Sequence, residues 1–584
     1  MKLPRLNRIP VRREMVDVFG GYDHRLRIDT GSFFDMENMT SDQYPVLATR
    51  GKRGTFARPD DCQGLICKDA LCWVDGTKFV INGYAVEMNL SVLPGDQPKK
   101  LVSMGAYVII LPDKKWINTA DLTEHGKLEA SVTTTGNVTF TLCNAEGEAY
   151  EVDARADSAP KDPADGMIWM DMSGETPSLK QWSEASGMWA SIASTYVKIS
   201  AAGIGKPFAE YDGVSLSGFE AETSTGLRDL MGSAVIQAKG DDFITVIGIL
   251  SGGAMTRADP LTVSRWMPEM DFVIESGNRL WGCRYGPDRN GNVVNEIYAS
   301  KLGDFKNWNC FMGISTDSYA VSVGTDGQFT GAVTHLGYPC FFKENHLHKV
   351  YGNYPANFQV QTTACRGVRK GCSESLAIVG EVLYYKARSG VCAYDGSLPR
   401  EVSAQLGEEV YAEAVGGALG NKYYIAMKDS RGKMPLFVYD TARGMWHKEE
   451  STPVKQFCAC DGELFFLDHD GAIRSMLGSG TADASPVKWM AQTGPIGVEQ
   501  PDRQYLQRLT VRLSMSIGSR LRILCQYDSE GDWVLLGSLT GRSLKTVSVP
   551  VRPRRCDHLR LRFEGIGDVR IFSVTKNIEY GSER

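Results

Sequence analysis

Residues 412–427, AEAVGGALGNKYYIAM, followed by LFVYD at 436–440 and by Met445-Trp446, decide how this chain is read. A strand of small residues enters a Gly-Asn turn, an aromatic strand returns, and a second turn leads to a third strand. The same order recurs at 63–83, 101–118, 331–352, 376–396 and 456–474. It recurs again at 272–282, which leads into NEIYASKLGDFKNWNCF at 295–311. From residue 331 to 476 the spacing is roughly 40 residues, the length of four strands and their turns. A helical solenoid of that period would show 3.6-residue periodicity and far fewer Gly-aromatic strands. The chain therefore reads as all-β, a β-propeller of six or seven blades in which each blade is covered by its neighbours. Within 295–311, Asp304 follows Gly303, the reverse of the order in a sialidase-type Asp-box, and Trp308 reads as a wedge between blades.

The repeat is interrupted. At 584 residues, with 42% apolar and 23% charged side chains, two to four cores are expected. Residues 1–57 read as an extended N-terminal arm and 58–119 as the first part of the propeller. Residues 120–265, rich in Thr, Ser, Ala and Gly with alternating runs such as VTTTGNVTFTL at 132–142, read as an inserted β-rich domain. Blades resume over 266–490. Residues 491–584 hold six alternating strands with an Arg-rich face and read as a C-terminal β-sandwich. No signal peptide or membrane-spanning run is expected, which places synthesis in the cytoplasm.

Charge is uneven. Residues 501–584 carry 15 Lys/Arg against 9 Asp/Glu and residues 1–60 carry 11 against 8, so the body between them holds a net −15 of the overall −6. A basic end and an acidic body imply different partners at the two places. VRPRRCDHLRLR at 551–562 concentrates five arginines. Leu and Phe alternate with Arg560 and Arg562, so the run reads as the outer face of a strand that meets an acidic protein surface. It does not read as a phosphate groove, which would interleave aromatics with the cations.

Catalytic signals are sparse. There is no nucleophile elbow, phosphate-binding loop, metalloprotease helix or dinucleotide fingerprint. Glu275, Asp304, Glu344 and Glu381 lie near strand ends, but a sequence cannot bring two of them to a hydrolytic separation. His346 and His348 lack a third ligand, and the fourteen cysteines include no CxxC pair, so no metal site or cofactor is expected. The cysteines read as small buried thiols. Trp169, Trp182, Met188 and Trp189 offer sugar-stacking aromatics, against which stands their use as a small core. The expectation is a protein that is not an enzyme.

The stretch FFDMENM at 33–39, YPVL at 44–47 and RGKRGT at 50–55 resembles the start of bacteriophage tail proteins, where an E/V-N-M/L, P-x-L, R-x-G-T run precedes the first blade. With the interrupted propeller and the basic sandwich, the chain resembles the tail nozzle family, also called tail tubular protein B or stabilisation protein of short-tailed phages. The resemblance covers the arm, the blades and the sandwich, and the inserted domain only loosely. It implies a virion protein forming a homo-oligomeric ring, usually six-fold, below the portal and adaptor. Genomic DNA would pass its channel without sequence-specific binding, and an acidic lining would keep the phosphates from sticking. Arg552, Arg554, Arg555, Arg560 and Arg562 are then the expected docking residues toward the adaptor. The alternative is a receptor- or carbohydrate-binding tail propeller.

Overall fold

The computed structural model describes residues 11–94, 98–221, 226–288, 290–498, 504–541 and 543–580. The first ten residues of the expected arm, and residues 499–503, 542 and 581–584 of the expected sandwich, lie outside the described residues. The described chain is almost wholly β, its one α-helix being Leu227–Leu230, and no helix in it is long and apolar enough to cross a membrane.

Seven sheets are propeller blades. The first comprises Cys62–Lys68, Ala70–Asp75, Lys78–Ile81 and Tyr84–Glu87, and the second Lys100–Met104, Tyr107–Leu111, Lys115–Asn118 and His125–Lys127. The third is Phe272–Ser276, Arg279–Pro287, Val293–Ala299 and Tyr319–Ser322; the fourth is Gly331–His335, Tyr338–Lys343, His346–Tyr351 and Gln359–Ala364. Ala377–Val379 to Arg400–Glu401 form the fifth, and Ala414–Leu419, Lys422–Met427, Pro435–Asp440 and Met445–Ser451 the sixth. The seventh begins Val454–Cys460, Glu463–Asp468 and Ile473–Ser475. Tight hairpins set the register. Asn82-Gly83 and Asp461-Gly462 both hold two successive positive φ angles, the conformation whose twist matches the flanking strands. Second strands such as Lys422–Met427 are buried along their whole length, because a neighbouring blade lies on either face. That burial is why they read as continuous apolar runs and not as alternating ones.

The chain forms two compact units. One contains Met1–Leu101, Phe341–Leu347 and Thr363–Arg584, and the other Val102–Cys340 and His348–Thr362. In the first unit the N-terminal segment is no separate arm. Gly54–Ala57 pairs with Ile473–Ser475 and completes the seventh blade. Cys458, Cys460, Phe465 and Leu467 of that blade then pack against Cys62, Leu65 and Leu71 of the first. The preceding strands enter the sandwich. Val11–Val16 and Leu47–Thr49 both pair with Val569–Tyr580, and Phe33–Glu37 pairs with Lys488–Thr493. The sandwich thus has one sheet containing Gln504–Met515, Lys545–Pro550 and Val569–Tyr580, and another containing Lys488–Thr493, Leu559–Ile566, Arg520–Tyr527 and Val534–Thr540.

In the second unit, Val102, Met104, Ile109 and Trp116 of the second blade share a core with Val273, Leu280, Phe305 and Trp308 of the third. Trp308 is 5% exposed and its Nε1 donates to the Phe305 carbonyl oxygen at 3.0 Å, so it is the wedge between blades expected from the sequence. The inserted strands run from Ala130–Thr133 to Thr262–Arg265, since the second blade continues to Lys127. They form an eight-stranded sheet around Phe140, Val197, Ile199, Leu216, Ile236 and Ile244, with a smaller sheet of Ala154–Ala156, Ile168–Asp171, Ser178–Ser183 and Met188–Ser191.

Candidate functional site

The arginine run divides between two environments. Along Leu559–Ile566 the alternation holds, with Leu559, Leu561 and Phe563 buried in the sandwich core. Arg560 and Arg562 point the other way but are held within the protein. The Arg562 guanidinium lies 4.0 Å over Trp533 and donates from Nε and Nη2 to Gln492 Oε1 at 3.1 and 2.7 Å. Arg560 lies 5.3 Å over Phe34, and its buried Nε has no acceptor among the described residues. Only Arg552, Arg554 and Arg555 are exposed, on the loop before the strand. Arg554 covers Tyr527 at 5.1 Å, and none of the three forms an ion pair among the described residues. Three exposed guanidinium groups without an ion pair on one loop suit bidentate contact with carboxylates. The loop has acidic company. Asp528 Oδ1 accepts from the backbone N–H of Asp557 at 2.7 Å, so the turn carrying Asp528, Glu530 and Asp532 adjoins the basic loop.

A second charged constellation was not legible in the sequence. Arg53, itself buried, donates to Glu449 Oε2 at 2.6 Å and to Thr452 Oγ1 at 2.8 Å. Arg50 donates to Glu450 Oε1 at 2.6 Å and lies 3.2 Å from Glu449. Asn38 takes a left-handed backbone and reaches in three directions: Nδ2 donates to the Lys488 carbonyl at 2.7 Å, while Oδ1 accepts from Arg50 Nε at 2.9 Å and from the Glu450 N–H at 3.2 Å. Nearby, Ser41 donates to Asp440 at 2.6 Å and Lys422 to Asp42 at 2.5 Å. Burial alone pushes both aspartates up, but the hydrogen bonds they accept hold their carboxyls below the usual range. His447 sits among them. Burial, with the Lys422 charge second, pulls its imidazole down to about 4. The stretch 33–55 is therefore the joint between the sixth and seventh blades and the sandwich. Its six charged residues, Asp35, Glu37, Asp42, Arg50, Lys52 and Arg53, did not point in the sequence to partners some 400 residues away.

The other expected groups are architectural. His348 lies between the Thr325 and Thr362 hydroxyls at 2.9 Å each. Glu275 accepts from the Asn278 N–H at 2.9 Å and Asp304 from the Lys306 N–H at 2.9 Å, both turn-closing contacts, and Glu344 accepts from the Lys370 N–H at 3.2 Å, tying two segments 26 residues apart. Among the described residues no group of three or more His, Cys, Asp or Glu is placed to hold a metal. The expectation of free thiols needs one correction. Cys67 and Cys460 form a disulfide, because packing the seventh blade on the first brings their Cα atoms to 5.4 Å. The other twelve cysteines form no disulfide.

No protein-family profile matches the sequence, and no curated protein does. Solved structures do match. An engineered GH43 glycoside hydrolase with endo-xylanase and exo-arabinofuranosidase activity is 10% identical, covers 53% of this chain and 96% of its own, and gives a TM-score of 0.20. A GH43 arabinoxylan arabinofuranohydrolase from Bacillus subtilis is 7% identical over 53% and 95% of the two chains, with a TM-score of 0.15. Trypanosoma rangeli sialidase is 10% identical over 97% and 96%, with a TM-score of 0.16. The expectation that the chain is not an enzyme is withdrawn, since the proteins named are glycoside hydrolases and a sialidase. That expectation rested on missing local motifs, and hydrolytic acids contributed by separate strands leave no local motif. What those proteins act on is said of them alone, and TM-scores this low carry no activity across to this chain.

Proposed function

We propose that the chain is a structural protein of a bacteriophage tail, made in the host cytoplasm and built into the virion. In this reading copies assemble as a ring, six-fold by resemblance, around the DNA exit channel, and the sandwich docks toward the adaptor and portal. One observation carries the reading. The stretch resembling the tail nozzle family spends its polar residues on Glu449, Glu450, Asp440 and Lys488, joining blades to sandwich. A segment used in this way suits a part that must transmit force between two rings. Of the five docking arginines, Arg552, Arg554 and Arg555 remain available, whereas Arg560 and Arg562 are committed to Phe34, Gln492 and Trp533. Negative-stain imaging of the purified protein tests the ring: particles with a central hole are expected, and monomers at every concentration overturn it. Exchanging Arg554 and Arg555 for Glu is expected to abolish tail attachment while leaving the fold intact. Particles assembled normally by that variant would remove the docking role.

A second reading, a tail propeller that recognises a receptor or carbohydrate, is favoured by one feature. Trp182 and Trp189 lie half-buried on the outer face of the inserted domain's small sheet.

A further inference from the structure

The small sheet has two unlike faces. Ile168, Met170, Leu179 and Ile192 pack with Leu142, Tyr150 and Ile249 into a core. The register sets Asp171 opposite Ser178, Trp169 opposite Lys180, Lys180 opposite Ser191, and Trp182 opposite Trp189, so these side chains share the other face. Trp169 is the floor of that face, buried, with its Nε1 donating to the Ala156 carbonyl at 3.0 Å. Trp189 meets Trp169 edge to face at 5.3 Å and Trp182 at 5.5 Å. The indole N–H groups of Trp182 and Trp189 have no acceptor among the described residues, and the exposed hydroxyls of Ser178 and Ser191 have no partner there either. The only charges on the face neutralise each other. Lys180 Nζ stands 2.8 Å from Asp171 Oδ2, and hydrogen bonds from Lys180 and Ser173 hold that carboxyl down to about 2.

We infer that this face binds a neutral saccharide, with sugar rings laid on Trp182 and Trp189 and hydroxyls bonded to the two indole N–H groups, Ser178 and Ser191. The chemistry of the face selects that ligand. A pyranose has an apolar C–H surface that packs on an indole and a rim of hydroxyls that need uncharged donors and acceptors. An anionic or cationic ligand finds no excess charge, because Asp171 and Lys180 are already paired. The inference rests on the second functional reading and names its ligand class and residues.

The test titrates the full chain with cellohexaose, laminarihexaose, xylohexaose and N-acetylchitohexaose, and with hexagalacturonate as an anionic probe, by calorimetry and tryptophan fluorescence. At least one neutral saccharide is expected to bind with an affinity unchanged by salt. Trp182→Ala and Trp189→Ala are each expected to weaken it about tenfold, the size of one lost aromatic contact. If an alanine variant unfolds early, Trp182→Phe and Ser191→Ala carry the same comparison. Neutral binding that survives undiminished in the Trp182→Ala/Trp189→Ala variant removes this face while leaving the carbohydrate reading. No binding of any neutral saccharide, or binding of hexagalacturonate alone, overturns both.

Discussion

His447 shows how far one residue depends on parts of the chain remote from it. The sequence marks only Met445-Trp446 at the start of the strand Met445–Ser451, and the charges acting most on His447 come from Lys422, Asp440 and Asp42. In the folded protein the imidazole titrates at about 4, against 6.5 when unperturbed. Between those values the unfolded chain binds a proton that the folded chain does not. Stability is therefore fully present above pH 6.5, falls as the pH drops toward 4, and loses no more from this group below that. The loss is expected to be about 3 kcal/mol. Asp42 and Asp440, which face the ring, stay charged through this window because their carboxyls are held low. Denaturant unfolding at pH 7 and pH 4.5 checks this: wild type is expected to lose stability and His447→Gln to lose much less. Parallel losses would refute the assignment. Trp308 lies at the legible extreme, because a large aromatic after a blade turn has few places to go but between blades. Asn307 beside it was illegible. It accepts from the Gly213 N–H at 2.8 Å and donates to Asp212 at 2.9 Å, anchoring the inserted domain through residues more than ninety positions away.

Among elements, Gly54–Ala57 is the most consequential. Four residues complete the seventh blade, and the chain before them supplies strands to both sheets of the sandwich. Gly54 permits this because its Cα lies against the Ser479 carbonyl. A Cβ there would also stand 2.9 Å from the Gly478 carbonyl carbon, so backbone must move. Gly54→Ala is expected to cost about 1–3 kcal/mol, the usual penalty for overpacking. Hydrogen exchange should quicken at 54–57 and 473–475 and not in the inserted domain. Unchanged exchange at those strands would show that the blade holds without the close approach. The segment's strand character was legible in its short apolar runs, but its role as a donor of strands was not. Pairing partners at the far end of a chain leave no periodicity to read.

For the whole molecule, the closure of the first unit rests on two kinds of contact between its first and last blades. Gln456 donates from Nε2 to the Leu65 carbonyl at 3.1 Å and accepts the Leu65 N–H at 2.8 Å, and Cys67–Cys460 links strands 393 residues apart. A cross-link over so long a loop restricts the unfolded chain strongly, and its removal is expected to cost about 2–5 kcal/mol. Peptide mapping without reductant should recover a linked pair containing Cys67 and Cys460, and reductant should lower the melting temperature of wild type but not of Cys67→Ser/Cys460→Ser. Equal melting with and without reductant would remove the disulfide from the account of closure. The sequence by itself determined the strands, their hairpins and the recurring blade unit, though not whether six or seven blades close, because turn chemistry and burial act over a few neighbouring residues. Only the tertiary structure decided that the N-terminal strands belong to the last blade and the sandwich, that Arg50 and Arg53 answer Glu449 and Glu450, and that two of fourteen cysteines meet. Those pairings join segments from 393 to more than 500 residues apart, and their free energy depends on packing that no local pattern encodes.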